Sequence, residues 1–338
     1  MYGNASSYTD FVDLLNTGLT NAAFKQFTFV CLAITCTLTM RLLLLARFRP
    51  AVLYVPELSR ALIVYLCFHC AGAILSLPYN AYVLIKFYYG TKSWHTPSTI
   101  YTIFWLGQWQ NTYTAISPLV VLFLTVERCF VIKLATNPAK RERFGRWMCR
   151  ASIVTMLAAF SASTCIYMAE LPLDIDRLKL SSCASVSCLM LKWHNLLQLF
   201  FKCSVSFLNI FWCLYLLYSL RAFRAMKIIK NDLVIVTICF ELCLNFLPAL
   251  VSICFNYFGK GLLSNVASTC SALDACCCAI FYSLVLVPPR CLKRANASVG
   301  STNEPRPSPS SPQHQQQLQQ TPSFRMRPMQ PSIVLPMN

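Results

Sequence analysis

The chain has 338 residues, 56% of them apolar and 12% charged, and a formal net charge of +17 at pH 7. Soluble domains carry about 25% charged residues, so the long uncharged stretches here exclude an ordinary water-soluble core and point to a bilayer. The positive charge does not mark a nucleic-acid binder, because Lys and Arg sit in short segments between apolar runs, where the positive-inside rule places them.

Residues 1–23 are polar and lack the basic-then-apolar pattern of a cleaved signal peptide. They include the glycosylation sequon Asn4-Ala5-Ser6. Seven apolar runs follow, at 24–46, 61–85, 104–127, 151–169, 195–219, 233–258 and 262–287. Each is close to or above the ~20 residues that cross a bilayer as a helix. Pro78, Pro118 and Pro248 fall inside the second, third and sixth runs, where membrane helices tolerate them. The reading is an all-α membrane protein, a seven-transmembrane-helix bundle over 24–288. A Pro-, Ser- and Gln-rich tail at 289–338 is expected to be cytoplasmic and disordered. Cys291 lies beside Arg290 and Lys293 just past the last run, a position that suits palmitoylation.

Lys and Arg set the orientation. With the N-terminus outside, the inner side receives Arg47, Arg49 and Arg60, then Lys133, Lys140, Arg141, Arg143, Arg146 and Arg150 in a second inner loop. The third inner loop adds Arg221, Arg224, Lys227 and Lys230, and the tail begins with Arg290, Lys293 and Arg294. The outer side holds fewer than half as many: Lys25, Lys86, Lys92, Arg177, Lys179, Lys192 and Lys260. This bias predicts an outside N-terminus and a cytoplasmic C-terminus.

Most of the 19 cysteines lie inside apolar runs, where they act as small hydrophobes. Cys67-Phe68-His69-Cys70 is an isolated CxxC on an apolar helix, without the second pair that zinc requires. No metal or cofactor is therefore expected.

Charged groups within spans are costly and each needs a reason. Arg41 is near enough to the inner end of its span to snorkel. At ~1.5 Å per residue, His69, Glu241 and Asp274 all fall roughly 12 Å from the inner boundary. They either join in a buried network across spans two, six and seven or face separate water-filled gaps. Towards the outer side, span three begins with Trp105, Gln108, Trp109, Gln110, Asn111 and Tyr113, and span five with Gln198 and Lys202. Trp105, Gln108, Trp109, Asn111, Gln198 and Lys202 form either an aromatic-walled ligand pocket or, for the tryptophans, an interfacial belt.

Span three ends in Glu127-Arg128, and a basic stretch follows. Seven spans, an outside N-terminus and this pair resemble a G-protein-coupled receptor. Glu127-Arg128 resembles the Glu/Asp-Arg motif of the rhodopsin-like class, and Phe246-Leu247-Pro248 its aromatic-x-Pro kink in span six. Two features depart from that class. No cysteine lies between Cys70 and Cys129 to anchor span three to the second outer loop, which leaves Cys183 and Cys188 to pair with each other, pair elsewhere or stay free. Span seven has no Asn-Pro-x-x-Tyr and ends Phe281-Tyr282 before Pro288-Pro289. Over 24–295 the chain is most similar to the nematode serpentine chemoreceptors of the Sra superfamily, class alpha/beta or class e.

The resemblance implies a plasma-membrane receptor, in a sensory cilium if it is chemosensory. Its partners would be a small extracellular ligand, a heterotrimeric G protein and the bilayer. Glu127 and Arg128 would couple to the G protein, and Pro248 would act as the hinge. A proton-coupled transporter using His69, Glu241 and Asp274 is the main alternative, although no internal repeat or pair of Gly-interrupted spans supports it. A channel with an inside N-terminus would need the opposite charge bias. No HExxH, GxSxG or P-loop motif suggests an enzyme.

Overall fold

The computed structural model describes residues 18–53, 58–89, 97–134, 137–170, 196–222, 229–257 and 264–287. Asn4, Cys183, Cys188 and Cys291 lie outside the described residues. Among the described residues the secondary structure is entirely helical. Seven helices are long and apolar enough to cross a membrane. A spanning segment has no water with which to satisfy its backbone, and a helix meets that demand internally.

Spans one to five are α1 (Gly18–Phe48), α2 (Arg60–Tyr88), α3 (Pro97–Lys133), α4 (Pro138–Glu170) and α5 (Leu196–Ala222). Span six is built in three pieces: α6 (Ile229–Phe240), a π-helical turn (Glu241–Phe246) and α7 (Leu247–Tyr257). Span seven is α8 (Ser264–Leu286). Threonines inside the spans return their hydroxyls to the preceding turn, as Thr35 does to the Cys31 carbonyl and Thr125 to the Val121 carbonyl, both at 2.8 Å.

The helix ends follow local chemistry. Ser59 caps α2 by accepting the Leu62 N–H at 3.2 Å. Asn137 caps α4 through its side-chain oxygen, which accepts the Lys140 N–H at 3.1 Å, with Pro138 at the first helical position. This cap changes the picture of the basic stretch between spans three and four. Lys133 closes α3, and Lys140, Arg141, Arg143, Arg146 and Arg150 all ride on the first turns of α4. The basic stretch is a rigid helical surface because an Asn-Pro start allows α4 to begin long before its apolar run.

Span three is the axis of the bundle. Its membrane window is 72% buried, against 17% for span four, which sits at the periphery. The main packing partners are one with two, two with three, three with five, and seven with one; span six bridges five and seven. At the basic end, Leu124, Leu216, Leu233, Ile238, Tyr282 and Leu286 belong to one apolar cluster that joins spans three, five, six and seven. Arg60 at the start of span two pairs with Glu142 at the start of span four at 3.6 Å. Both side chains are exposed, so the pair adds little stability, but it places two span starts at the same end.

Candidate functional site

The polar groups of the spans assemble on three levels. The middle level centres on the π turn of span six. A π turn holds one more residue than an α turn, and it carries Glu241 and Asn245, both fully buried. The Asn245 amide donates to Glu241 Oε2 at 2.9 Å and to Asp274 Oδ2 of span seven at 2.6 Å. Ser206 of span five donates to Glu241 Oε1 at 3.0 Å. The Cys278 thiol faces Asp274 Oδ1 at 3.9 Å. Lys202, 4% exposed, donates to Ser271 of span seven. Glu241 and Asp274 both act on it electrostatically. Two carboxylates and one ammonium thus share a buried cluster that ties spans five, six and seven together.

His69 lies outside this cluster. Its Nδ1 pairs with the Tyr113 hydroxyl of span three at 2.8 Å, and its ring packs on Tyr65 at 4.3 Å. Gly72, one turn along from His69, makes this possible. A Cβ there would fall onto the Tyr113 ring, so only glycine lets the ring lie against span two. Of His69, Glu241 and Asp274, the structure joins the last two through one amide and gives the first to span three.

The level farthest from the basic end, the outer one in the orientation expected from the charge bias, is a polar belt between spans one, two, three and seven. The Asn80 amide donates to the Gln110 side-chain oxygen at 2.8 Å, and the Gln110 amide donates to Ser268 at 2.7 Å. Thr28 and Thr269 pair at 3.0 Å. Lys25, 6% exposed, lies over the Tyr79 ring at 4.6 Å.

The six residues read from sequence as a pocket face different neighbours. Trp105 and Trp109 are more than one-third exposed, on the outward side of span three, and Trp109 stacks on Phe160 at 5.3 Å. Gln108 is buried and donates to Thr164 at 3.1 Å, whereas Asn111 is half-buried. Gln198 lines a cavity of about 100 Å³ between spans three, four and five with Ala115, Ile116, Ser163 and Phe201. Lys202 turns away from it towards span seven.

The third level is at the basic end. Glu127 and Arg128 are each 4% exposed, with Arg128 Nη2 3.6 Å from Glu127 Oε2. Among the described residues, Glu127 Oε2 and Arg128 Nε have no hydrogen-bond partner. Tyr282 of span seven belongs to the apolar cluster at this end, and its hydroxyl is shared with Thr237 of span six. Pro248 sits half-buried just beyond the π turn.

Asn245, Ser206 and Ser271 complete these groups, and the sequence reading gave none of them a role; Tyr113, read with the outer polar and aromatic residues of span three, pairs with His69 instead. Asn245 carried a usable signal, since it follows Glu241 by four residues in an otherwise apolar run. Every cysteine among the described residues is a free thiol. No group of three or more His, Cys, Asp or Glu side chains among them could hold a metal ion. No protein-family model matches the chain, and a search of curated proteins finds no match.

Proposed function

We propose that the chain is a seven-span chemosensory receptor of the plasma membrane, with its N-terminus outside and its C-terminus cytoplasmic. It binds a small extracellular ligand and activates a heterotrimeric G protein. The observation that carries this reading is the buried Glu127-Arg128 pair at the basic end of the axial helix. A buried guanidinium with an unpaired Nε and a carboxylate at 3.6 Å is an expensive arrangement. A resting state that covers Arg128 and an active state that exposes it account for that cost.

The mechanism is a shift between two packings. Spans three, five, six and seven close over the basic end through one apolar cluster. Ligand in the outer half favours a packing in which the inner part of span six swings outward about the π turn and Pro248. That motion separates Thr237 from Tyr282, opens the cluster and delivers Arg128 to the G protein. The helical basic surface of α4 faces the anionic inner leaflet and the same partner.

The test is topology and coupling in one cell line, with tags at both ends and proximity to a panel of G proteins. The expected result is an extracellular, Asn4-glycosylated N-terminus and basal proximity to one G protein that Arg128→Ala removes without lowering surface expression. An intracellular N-terminus, or coupling indifferent to Arg128→Ala, overturns the reading. The buried Lys202, Glu241 and Asp274 favour one other reading, proton-coupled transport. Proton uptake driven by a solute gradient in proteoliposomes, abolished by Glu241→Gln, would establish it instead.

A further inference from the structure

Beside the Glu127-Arg128 pair, an open cleft of about 270 Å³ lies between spans three and five. Cys129, Phe130 and Lys133 line it from span three, and Phe211, Trp212 and Tyr215 from span five. Each set covers about one helical turn, ~6 Å along the axis. The Cys129 thiol donates to the Trp212 carbonyl at 3.7 Å, and the Trp212 and Tyr215 rings meet edge to face at 5.9 Å. These contacts fix the inner wall of the cleft.

The chemistry of the cleft changes along its length. At the basic end, where span three stops, the Lys133 side chain is exposed and its ammonium lies over the Tyr215 ring at 4.9 Å. Towards the middle of span five comes the exposed Phe211, and one turn further the exposed Phe207, with the two rings 5.0 Å apart. On the other side, Phe130 packs on Phe144 of α4 at 4.5 Å. The exposed Lys140 and Arg141, one turn before Phe144, share its face of α4. A cation at the end of the span, aromatic rings beside it and an apolar track towards the bilayer centre repeat the order of parts in a phospholipid.

We propose that this cleft holds one anionic phospholipid, with its phosphate at Lys133 and one acyl chain running over Phe211 and Phe207. Charge selects the occupant. Residues 133–150 hold six Lys or Arg against one acid, Glu142, and Glu142 pairs with Arg60. A negative headgroup gains from that field, whereas a sterol hydroxyl would use none of it. The cleft takes the phosphate and the first part of the chain, and the rest of the lipid lies on the exposed face of span five. The bound lipid joins spans three and five within one residue of Arg128, so the composition of the bilayer bears on the pair. This inference goes beyond the receptor reading and needs only that the chain spans a bilayer, so its test does not use signalling.

The experiment is native mass spectrometry of the purified full chain, released from neutral detergent micelles that carry dioleoyl phosphatidylserine and dioleoyl phosphatidylcholine in equal amounts. The wild-type chain is expected to retain one phosphatidylserine in about tenfold preference to phosphatidylcholine, the scale of one charge-assisted contact. Lys133→Met should lose most of that preference, and Lys133→Arg should keep it. Arg146→Met removes an equal charge about 200° around α4 from Phe144 and should keep it as well. Phe211→Ala should lower retention of both lipids alike. Glycerophosphoserine, the same headgroup without chains, should not displace the lipid at equal concentration. Equal retention of the two lipids by the wild-type chain, which needs no variant to fold, overturns the proposal. So does a preference that falls as far in Arg146→Met as in Lys133→Met, since that is the general attraction of a basic surface. Displacement by glycerophosphoserine overturns it too, because the site would then take an anion and no lipid.

Discussion

Gly72 and Asn245 show how single residues set the interior. Gly72 is one of only nine glycines in the chain, and it is the one on which the Tyr113 ring lies. Gly72→Ala would push that ring away and strain its bond to His69, an overpacking cost of about 1–3 kcal/mol. The expected outcome is a lower melting temperature in detergent, largely restored by Tyr113→Leu in the same chain. Asn245 acts differently, by donating one amide to two carboxylates. Asn245→Leu keeps the volume and removes the donor, which leaves two buried acceptors short at about 1–3 kcal/mol each. Asn245→Asp should be worse still, since it adds a third carboxylate to the cluster. Side-by-side melting curves check the ranking of wild type, Leu and Asp.

At the scale of the element, the seven spans were legible in the sequence and their faces were not. Length and uninterrupted apolarity locate a span within a few residues. Rotation about the helix axis needs a polar face, and these helices are apolar nearly all round. That is why Trp105 and Trp109, read as pocket walls or belt, and Lys202, read as a pocket lysine, pointed nowhere definite before the structure. The π turn was invisible for another reason, because an extra residue per turn has no composition of its own. It nonetheless decides where Glu241 points. Deleting Leu242 should return the segment to α geometry, leave Asn245 and Pro248 in place and rotate Glu241 by about 100°. The Ser206–Glu241 bond should then be lost. A variant as stable as the wild type, with Ser206→Ala equally harmless in both backgrounds, would show that the π turn does not position Glu241.

On the scale of the whole molecule, the three polar levels lie along one path from the outer belt to the basic end. The outer belt touches spans one, two, three and seven; the middle cluster ties five, six and seven; the pair at the base sits on span three. Span seven contributes to the first two through Ser268 and Asp274, and to the apolar cluster at the base through Tyr282, so in the proposed receptor a ligand that shifts its outer end would reach the base through a single rigid element. In the proposed receptor, Glu127 is then the local weight on the resting side. In the folded bundle its carboxylate sits 3.6 Å from Arg128 and makes the guanidinium less costly to bury. Glu127→Ala removes that compensation, leaves a desolvated cation, and should favour the packing in which Arg128 meets water and the G protein. The expected outcome is raised ligand-free coupling at equal surface expression, and Glu127→Gln should fall between Ala and wild type. The double variant Glu127→Ala, Arg128→Ala should be silent, because the gain acts through the arginine. Basal coupling that rises equally in the double variant would place the lock elsewhere in the bundle and leave Glu127 a purely structural residue.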